Sequence, residues 1–247
     1  MNNLIVDIGN TRVKLYVMQG DQTLCRVVYD SFGGSALLWV TEECARYKVK
    51  RGIVSSTRGD VRDVVGMLRE VVSDVLLFEA TTPVPIAVSY ATPQTLGRDR
   101  LAAAVGAWSV YGEDVDTVLI VDLGSAITID LVTRGGGFEG GVISPGIAMR
   151  FRALHEFTAS LPLCEPTDEF VAIPRTTREA IEQGVMEGVA LEIDGHIDRI
   201  RGKSEKKLVI FAGGDAKKLA KRIKNTIFAE CELVSLGLNR ILEYNAK

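Results

Sequence analysis

The chain has 247 residues, 47% hydrophobic and 25% charged, which is enough to bury the core of one large domain or two small ones. Its formal net charge of -3 gives no electrostatic reason to expect nucleic-acid binding. No apolar run reaches the length of about 18 residues that a membrane span needs, and the first residues have no signal-peptide pattern, so we expect a cytoplasmic protein with no membrane contact.

The cysteines give no indication of a metal site or a disulfide framework. Cys25, Cys44, Cys164 and Cys231 lie far apart in the sequence and form no C-x-x-C pair. Free thiols in a reducing compartment are therefore expected.

Predicted strands and helices are mixed along the chain. An apolar strand at residues 4–6 leads into Asp7-Ile8-Gly9-Asn10-Thr11, and residues 12–17 then alternate, which predicts a β-hairpin. Further strands are predicted at residues 51–55, 75–78 and 208–212, helices at 37–48, 61–72, 101–111, 146–157, 177–201 and 217–224, and a glycine turn at 135–137. This mixture favours an α/β fold.

A second hairpin of the same kind follows near the middle of the chain. Residues 119–121 form an apolar strand that leads into Asp122-Leu123-Gly124-Ser125-Ala126, and residues 127–132 alternate. Two such segments can arise by chance in an α/β protein. Their matching order and the even division predict instead a duplicated domain, with halves at residues 1–116 and 117–247.

Both hairpins have the chemistry of a phosphate site. An Asp followed by Gly at a strand end puts a carboxylate beside exposed backbone N–H groups, which can bind phosphate oxygens while the carboxylate holds a cation. Lys14 can reach such a phosphate or can be an ordinary surface lysine. The chain has neither a Walker motif nor a dinucleotide-binding glycine fingerprint.

Two further segments have two interpretations each. Gly213-Gly214 follows a predicted strand, and forms either a bare surface for adenine or ribose or a tight strand-to-helix turn. Asp99 precedes a predicted helix, and either caps it or acts as a general base, with Arg100 binding an anionic substrate group.

Together these segments resemble a known family. Asp7-x-Gly9-Asn10-Thr11-x-x-Lys14, Gly97-x-Asp99-Arg100 and Asp122-x-Gly124-Ser125-Ala126-x-Thr128-x-Asp130 occur in that order, followed by Gly140-Gly141-x-Ile143-x-Pro145-Gly146 and Gly213-Gly214-Asp215-Ala216. The series resembles type III pantothenate kinase, of the acetate and sugar kinase/Hsc70/actin superfamily, from residue 4 to about residue 240. The Gly-x-Asp-Arg step and the Gly-Gly-x-Ile-x-Pro-Gly segment are the specific parts, since the hairpins occur throughout the superfamily.

The resemblance implies two actin-like (ribonuclease H-like) halves, each with a mixed sheet flanked by helices. It implies transfer of the ATP γ-phosphoryl group to pantothenate, the first step of coenzyme A biosynthesis, with magnesium accompanying ATP. The residues implied to bind ATP are Asp7, Ile8, Gly9, Asn10, Thr11, Arg12, Val13, Lys14 and Ser125. Those implied to bind pantothenate are Tyr90, Gly97, Arg98, Asp99, Arg100 and Thr177.

The resemblance also makes the roles of Asp99 and Asp122 specific and adds an oligomeric state. Asp99 would accept the proton, Asp122 would hold a potassium or ammonium ion, and the protein would be a homodimer. The family more often has Thr where Ser125 stands, and Ser keeps the hydroxyl. The alternatives are another kinase or phosphatase of the superfamily, an accessory factor in transcription, and a purely structural domain.

Overall fold

The computed structural model describes residues 1–135, 137–200, 206–225, 228–229 and 232–246. The strands are β1 Asn2–Ile8, β2 Val13–Gln19, β3 Gln22–Tyr29, β4 Arg51–Ser56, β5 Asp74–Leu77, β6 Thr117–Leu123, β7 Ala126–Thr133, β8 Gly137–Pro145, β9 Lys207–Ala212 and β10 Phe228–Ala229. The helices are α1 Gly34–Tyr47, α2 Arg62–Arg69, α3 Arg98–Tyr111, α4 Ile147–Glu156, α5 Thr177–Ile200, α6 Ala216–Leu219 and α7 Leu233–Tyr244, with a short 3-10 helix at Pro93–Thr95.

Packing divides the chain into two units. The first contains the described residues of 1–113, 137–138 and 232–246, and the second contains those of 114–135 and 139–229. The predicted boundary between residues 116 and 117 falls close to the point where the chain leaves the first unit. The last segment, which the sequence assigned to the C-terminal half, lies in the first unit.

The first unit is a five-stranded mixed sheet with helices on both faces. Its order is β3-β2-β1-β4-β5, with β1 antiparallel to β2 and parallel to β4. Apolar side chains of α1 and α2 cover the face that presents Leu4, Val6 and Ile8. Helices α3 and α7 pack together and lie against β1 and β4. Asn3, on the face opposite to Leu4, donates to Asn239 Oδ1 of α7 at 2.7 Å.

The second unit repeats this plan. Its sheet has the order β10-β9-β6-β7-β8, with β6 antiparallel to β7 and parallel to β9. The apolar face of β6 and β7 packs against the buried side chains of α4 and α5, among them Phe151 and Val189. β6 therefore corresponds to β1, β7 to β2 and β9 to β4, and the predicted duplication is present in the fold.

The two hairpins differ in length by one residue. In the first, Ile8 pairs with Val13 and Asp7 with Lys14, whereas in the second Leu123 pairs with Ile127 and Asp122 with Thr128. Thr128 is thus the counterpart of Lys14 in the strand register.

Most predicted elements are confirmed, with ends that shift by a few residues. The sequence missed β3, β8, β10 and α7. The helix predicted at 217–224 was wrong in extent, because α6 ends at Leu219. The N–H groups of Lys224 and Asn225 donate to the Asp194 carboxylate at 3.1 and 3.3 Å, and this pairing holds the segment outside a helix. Gly136, Arg201 and Cys231, on which three predictions fell, lie outside the described residues.

Within the described residues, no helix combines the length and the apolar character that crossing a membrane requires.

Candidate active site

The first hairpin carries a buried carboxylate beside a lysine. Asp7, at the end of β1, is 6% exposed, and the register places it opposite Lys14. Lys14 Nζ lies 3.9 Å from Asp7 Oδ2. Two residues further along β2, burial and then the Asp7 carboxylate raise the pKa of Tyr16, which therefore stays neutral at physiological pH. At this end of the hairpin, Asp7 and Lys14 therefore form a close ion pair, and the neighbouring Tyr16 side chain is uncharged.

The turn itself presents backbone to the outside. The Gly9 N–H donates to Arg12 O at 2.9 Å, and residues 10–12 between them are exposed. Arg58 holds this turn from a neighbouring loop: its Nε donates to Asn10 O at 3.0 Å and its two Nη atoms donate to Asp30 O. Sequence reasoning missed Arg58, because nothing in its local sequence points to residues so distant in the chain.

Asp99 lies in the first turn of α3. Its Oδ1 accepts a hydrogen bond from the Arg100 N–H at 2.9 Å, so the carboxylate does satisfy one N–H of the helix start. A Cβ on Gly97 would stand 2.7 Å from Asp99 Oδ1. The glycine of the Gly-x-Asp-Arg step therefore leaves room for this carboxylate. Asp99 is half-buried, which keeps it within reach of a ligand.

Arg100 is a buried cation between two aromatic rings. It is 6% exposed, and its guanidinium carbon lies 5.8 Å from the ring centroids of both Tyr90 and Phe138. The two rings are tilted at 60° with their centroids 5.9 Å apart. Such cation–π contacts fix a guanidinium in one place. Tyr90 and Arg100, predicted to bind substrate, therefore do lie together.

Arg98 has a different environment from its neighbours. Its Nη2 donates to Pro93 O and Gln94 O at 3.2 Å each, and its guanidinium lies 5.9 Å from the Phe78 ring centroid. Burial lowers its pKa, against the opposing effect of the Asp99 carboxylate. Arg98 thus stabilises the loop that leads into α3 through these hydrogen bonds.

Asp7 and Asp99 lie at the same end of the first sheet. Asp7 is next to Ser55 in the register of parallel strands β1 and β4, and Phe78, directly after β5, donates its N–H to Val54 O at 2.8 Å. Arg98 rests on Phe78, so the start of α3 lies at the carboxyl ends of these strands. This edge is where open α/β sheets bind their ligands.

In the second unit, Asp122 lies against a glycine turn. Gly213, directly after β9, has φ of +87°, and a Cβ there would come within 2.4 Å of Asp122 Oδ1 and 2.5 Å of Leu123 O. Gly213 thus serves a tight turn, the second of its two interpretations. A Cβ on Gly214 would meet nothing within 4 Å, so this residue leaves open backbone.

The start of α4 covers the second hairpin. A Cβ on Gly146 would stand 2.3 Å from Ser125 O, and one on Gly141 would stand 2.1 Å from Ile129 O. These glycines of the Gly-Gly-x-Ile-x-Pro-Gly segment let β8 and α4 approach the hairpin backbone closely. The Ser125 side chain, predicted to touch ATP, is exposed beside this turn.

Thr177 is exposed at the first residue of α5, in the second unit. The helix start is fixed by a capping box: the Glu179 N–H donates to Thr176 Oγ1 at 3.2 Å, and Glu179 Oε2 accepts from the Thr176 N–H at 3.3 Å. The position of Thr177 is therefore well defined within its own unit.

A repeated hairpin-centred unit with an Asp-x-Gly turn in each copy defines the actin-like class of α/β proteins, and the predicted fold class is confirmed. A protein from Campylobacter jejuni, provisionally assigned as a Baf family transcriptional activator, matches with a TM-score of 0.63 and 22% identity, over 98% of each chain. The activator of 2-hydroxyisocaproyl-CoA dehydratase from Clostridium difficile matches with a TM-score of 0.55 and 13% identity, over 98% of this chain and 95% of that one.

Sequence comparison is more specific than the fold. Residues 3–199 match the family model of type III pantothenate kinase. The type III pantothenate kinase of Azobacteroides pseudotrichonymphae is 39% identical over 99% of this chain and 97% of its own. The chain therefore belongs to the type III pantothenate kinase family.

Proposed function

We propose that this protein phosphorylates pantothenate with ATP to give 4'-phosphopantothenate, the first step of coenzyme A biosynthesis. Family membership carries this proposal. The geometry agrees with it, because a half-buried carboxylate, a buried guanidinium and an Asp-Gly hairpin lie in one unit at the ligand-binding edge of its sheet. Phosphoryl transfer needs such positioning and charge neutralisation more than covalent help.

The first hairpin binds the phosphates of ATP. Its residues Asp7 to Lys14 offer exposed backbone and one ammonium group, and Arg58 keeps the turn in shape. The buried Asp7 carboxylate is an oxygen donor of the kind that magnesium prefers, so the residues present fit a divalent cation that accompanies ATP. Ser125, at the second hairpin, supplies a further hydroxyl for the nucleotide.

Pantothenate binds around the start of α3. Asp99 accepts the proton of the primary hydroxyl as the hydroxyl oxygen bonds to the γ-phosphorus, and the bond from that phosphorus to the bridging oxygen breaks to release ADP. Arg100, held by its two aromatic neighbours, binds the pantothenate carboxylate. Gly97 and Arg98 shape this edge, and Tyr90 and Thr177 contribute hydroxyl groups.

Asp122 holds a monovalent cation, potassium or ammonium. Its half-buried carboxylate lies beside the turn at Gly213, where a Cβ would come within 2.4 Å of Asp122 Oδ1. A single carboxylate balances the charge of a single monovalent ion, and a carboxylate oxygen is the kind of ligand that hard cations take.

The protein forms a homodimer through its second unit. Ile143 of β8, Met149 of α4 and Leu191 of α5 are 64%, 51% and 69% exposed. Exposed apolar side chains mark a protein–protein interface when they form one continuous patch, and we infer that these three contribute to such a patch. A sedimentation measurement that finds only monomer at micromolar concentration would contradict the dimer.

The first test is ATP consumption by the purified protein with and without pantothenate, in potassium, ammonium or sodium salts at equal ionic strength. We expect consumption that requires pantothenate and is higher in potassium or ammonium than in sodium. ATP binding without any effect of pantothenate would point to another acceptor or to a regulatory protein. Equal rates in all three salts would remove the role of Asp122 and leave the kinase assignment intact.

A further inference from the structure

Ser55 completes a row of polar residues across three strands of the first sheet. Register pairs Lys14 with Asp7 and Asp7 with Ser55, so that all three side chains lie on one face at the same level. Ser55 is 0% exposed. Its Oγ has no hydrogen-bond partner anywhere in the described part of the chain. A buried hydroxyl of this kind is rare and destabilises the fold.

The other buried atoms without a partner are different in kind. They belong to Asn2, Asn3, Asn225 and Arg240, and each of these side chains makes a hydrogen bond through another of its atoms. Among the described residues that have such a buried unpaired atom, Ser55 is the one whose side chain makes no hydrogen bond through any of its atoms.

The duplication shows that the fold does not require this hydroxyl. In the second unit, Asp122 has Ala212 as its neighbour on the parallel strand, in the place that Ser55 takes beside Asp7. The corresponding position of the second sheet therefore accepts an alanine. The unit that has Ser55 beside its aspartate also has Lys14 on the hairpin. The second unit, which has Ala212 beside its aspartate, has Thr128 in the place of that lysine.

We propose that Ser55 is a positioning residue for Asp7, and that its hydroxyl donates to the Asp7 carboxylate when a nucleotide occupies the first hairpin. In the free protein Lys14 is the close cationic neighbour of Asp7. Bound phosphates attract the Lys14 ammonium and weaken this pair. Neighbouring strands are about 4.8 Å apart, so the hydroxyl of a register partner reaches the carboxylate by side-chain rotation. This inference rests on the proposed function, since it needs phosphates at this hairpin.

The test compares wild-type protein with Ser55→Ala in two measurements. One is the Kd of Mg·ADP by calorimetric titration, and the other is the melting temperature of the ligand-free protein. We expect the Kd to rise about tenfold in Ser55→Ala, because a hydrogen bond to a charged group is lost. The ligand-free melting temperature should rise by about 2–4 °C, because the unpaired hydroxyl is gone. A purely structural serine would not weaken Mg·ADP binding and raise the melting temperature in the same variant.

Ser235→Ala is the matched control. Ser235 is also buried, but its Oγ donates to Glu232 O at 2.9 Å. Its removal should lower the melting temperature and leave the Kd unchanged.

Each remaining outcome contradicts the inference. A Ser55→Ala protein that melts lower or fails to fold would show that the hydroxyl already has a stabilising role in the free state. Unchanged Mg·ADP affinity, with pantothenate-dependent ATP consumption intact, would overturn the role of Ser55 and leave the proposed function standing. Failure of the wild-type protein to bind Mg·ADP would overturn both.

Discussion

Among individual side chains, Asp99 has the most demanding proposed role, and a substitution can separate that role from its structural one. Asn at this position keeps an oxygen that accepts the Arg100 N–H, so the start of α3 is preserved. An amide cannot accept the substrate proton. We therefore expect Asp99→Asn to lower kcat by a factor of about 10²–10⁴ and to leave the Kd of Mg·ATP within about twofold.

Asp63→Asn provides the control for this change, because Asp63 is also an acidic residue in the first turn of a helix, α2, on the opposite face of the sheet. Its turnover should equal that of the wild type. Wild-type turnover in Asp99→Asn would show that the proton leaves by another route, and loss of Mg·ATP binding would show that the substitution disturbs more than the base.

Single residues could be proposed from sequence as site candidates when their chemistry was local. Asp7, Asp99 and Asp122 each lie near a glycine at one end of a predicted element, which makes them candidates without a structure. Arg58 and Ser55 could not be found this way, because what distinguishes them is their place beside residues distant in the chain, Arg58 at the first hairpin turn and Ser55 next to Asp7. The contact of the Arg98 guanidinium with the Phe78 ring is likewise tertiary, whereas its hydrogen bonds to Pro93 O and Gln94 O are local.

The end of α1 shows how an element can carry strain that its sequence pattern does not reveal. The Lys48 N–H donates to Ala45 O and the Val49 N–H donates to Cys44 O, which is a Schellman motif. This motif places Lys48 in the left-handed region, with φ of 54°. Glycine is the usual residue there, since a side chain costs about 1 kcal/mol in that conformation.

Lys48→Gly should therefore raise the free energy of unfolding by up to about 1 kcal/mol, visible as a higher urea midpoint. Lys50→Gly is the matched control, because Lys50 is also exposed but has no left-handed backbone, and it should be neutral or destabilising. An equal loss of stability in both variants would mean that the Lys48 conformation carries no strain.

Three of the elements that the sequence missed have separate physical causes. Most residues of β3 are half-buried or exposed, because the strand lies at the edge of its sheet, and its hydrophobic alternation is correspondingly weak. β8 contains three glycines and exposed apolar residues, a pattern that resembles a loop. The residues just before helix α7 include neither a usual N-cap residue nor a usual helix breaker, so the sequence does not mark where this helix begins.

The first unit is completed by a contact between distant segments of the chain that duplication alone does not predict. Helix α7 comes last in the sequence, after the second unit, yet it packs against α3 of the first. Two glycines make this packing possible: a Cβ on Gly237 would lie 1.8 Å from Ala102 O, and one on Gly106 would lie 2.1 Å from Leu233 O. Such proximity leaves no sign in hydrophobic periodicity, because it depends on which two helices meet.

Gly237→Ala should accordingly force α3 and α7 apart. The added methyl group would overlap backbone atoms, which cannot rotate away as a side chain does, so we expect a loss of about 1–3 kcal/mol and a lower urea midpoint. Gly66→Ala, in α2 of the same unit, is the matched control, since a Cβ there meets nothing within 4 Å. Alanine favours a helix over glycine, so this control should gain up to about 1 kcal/mol. If Gly237→Ala were as stable as Gly66→Ala, the close approach of the two helices would not be what joins the end of the chain to its first unit.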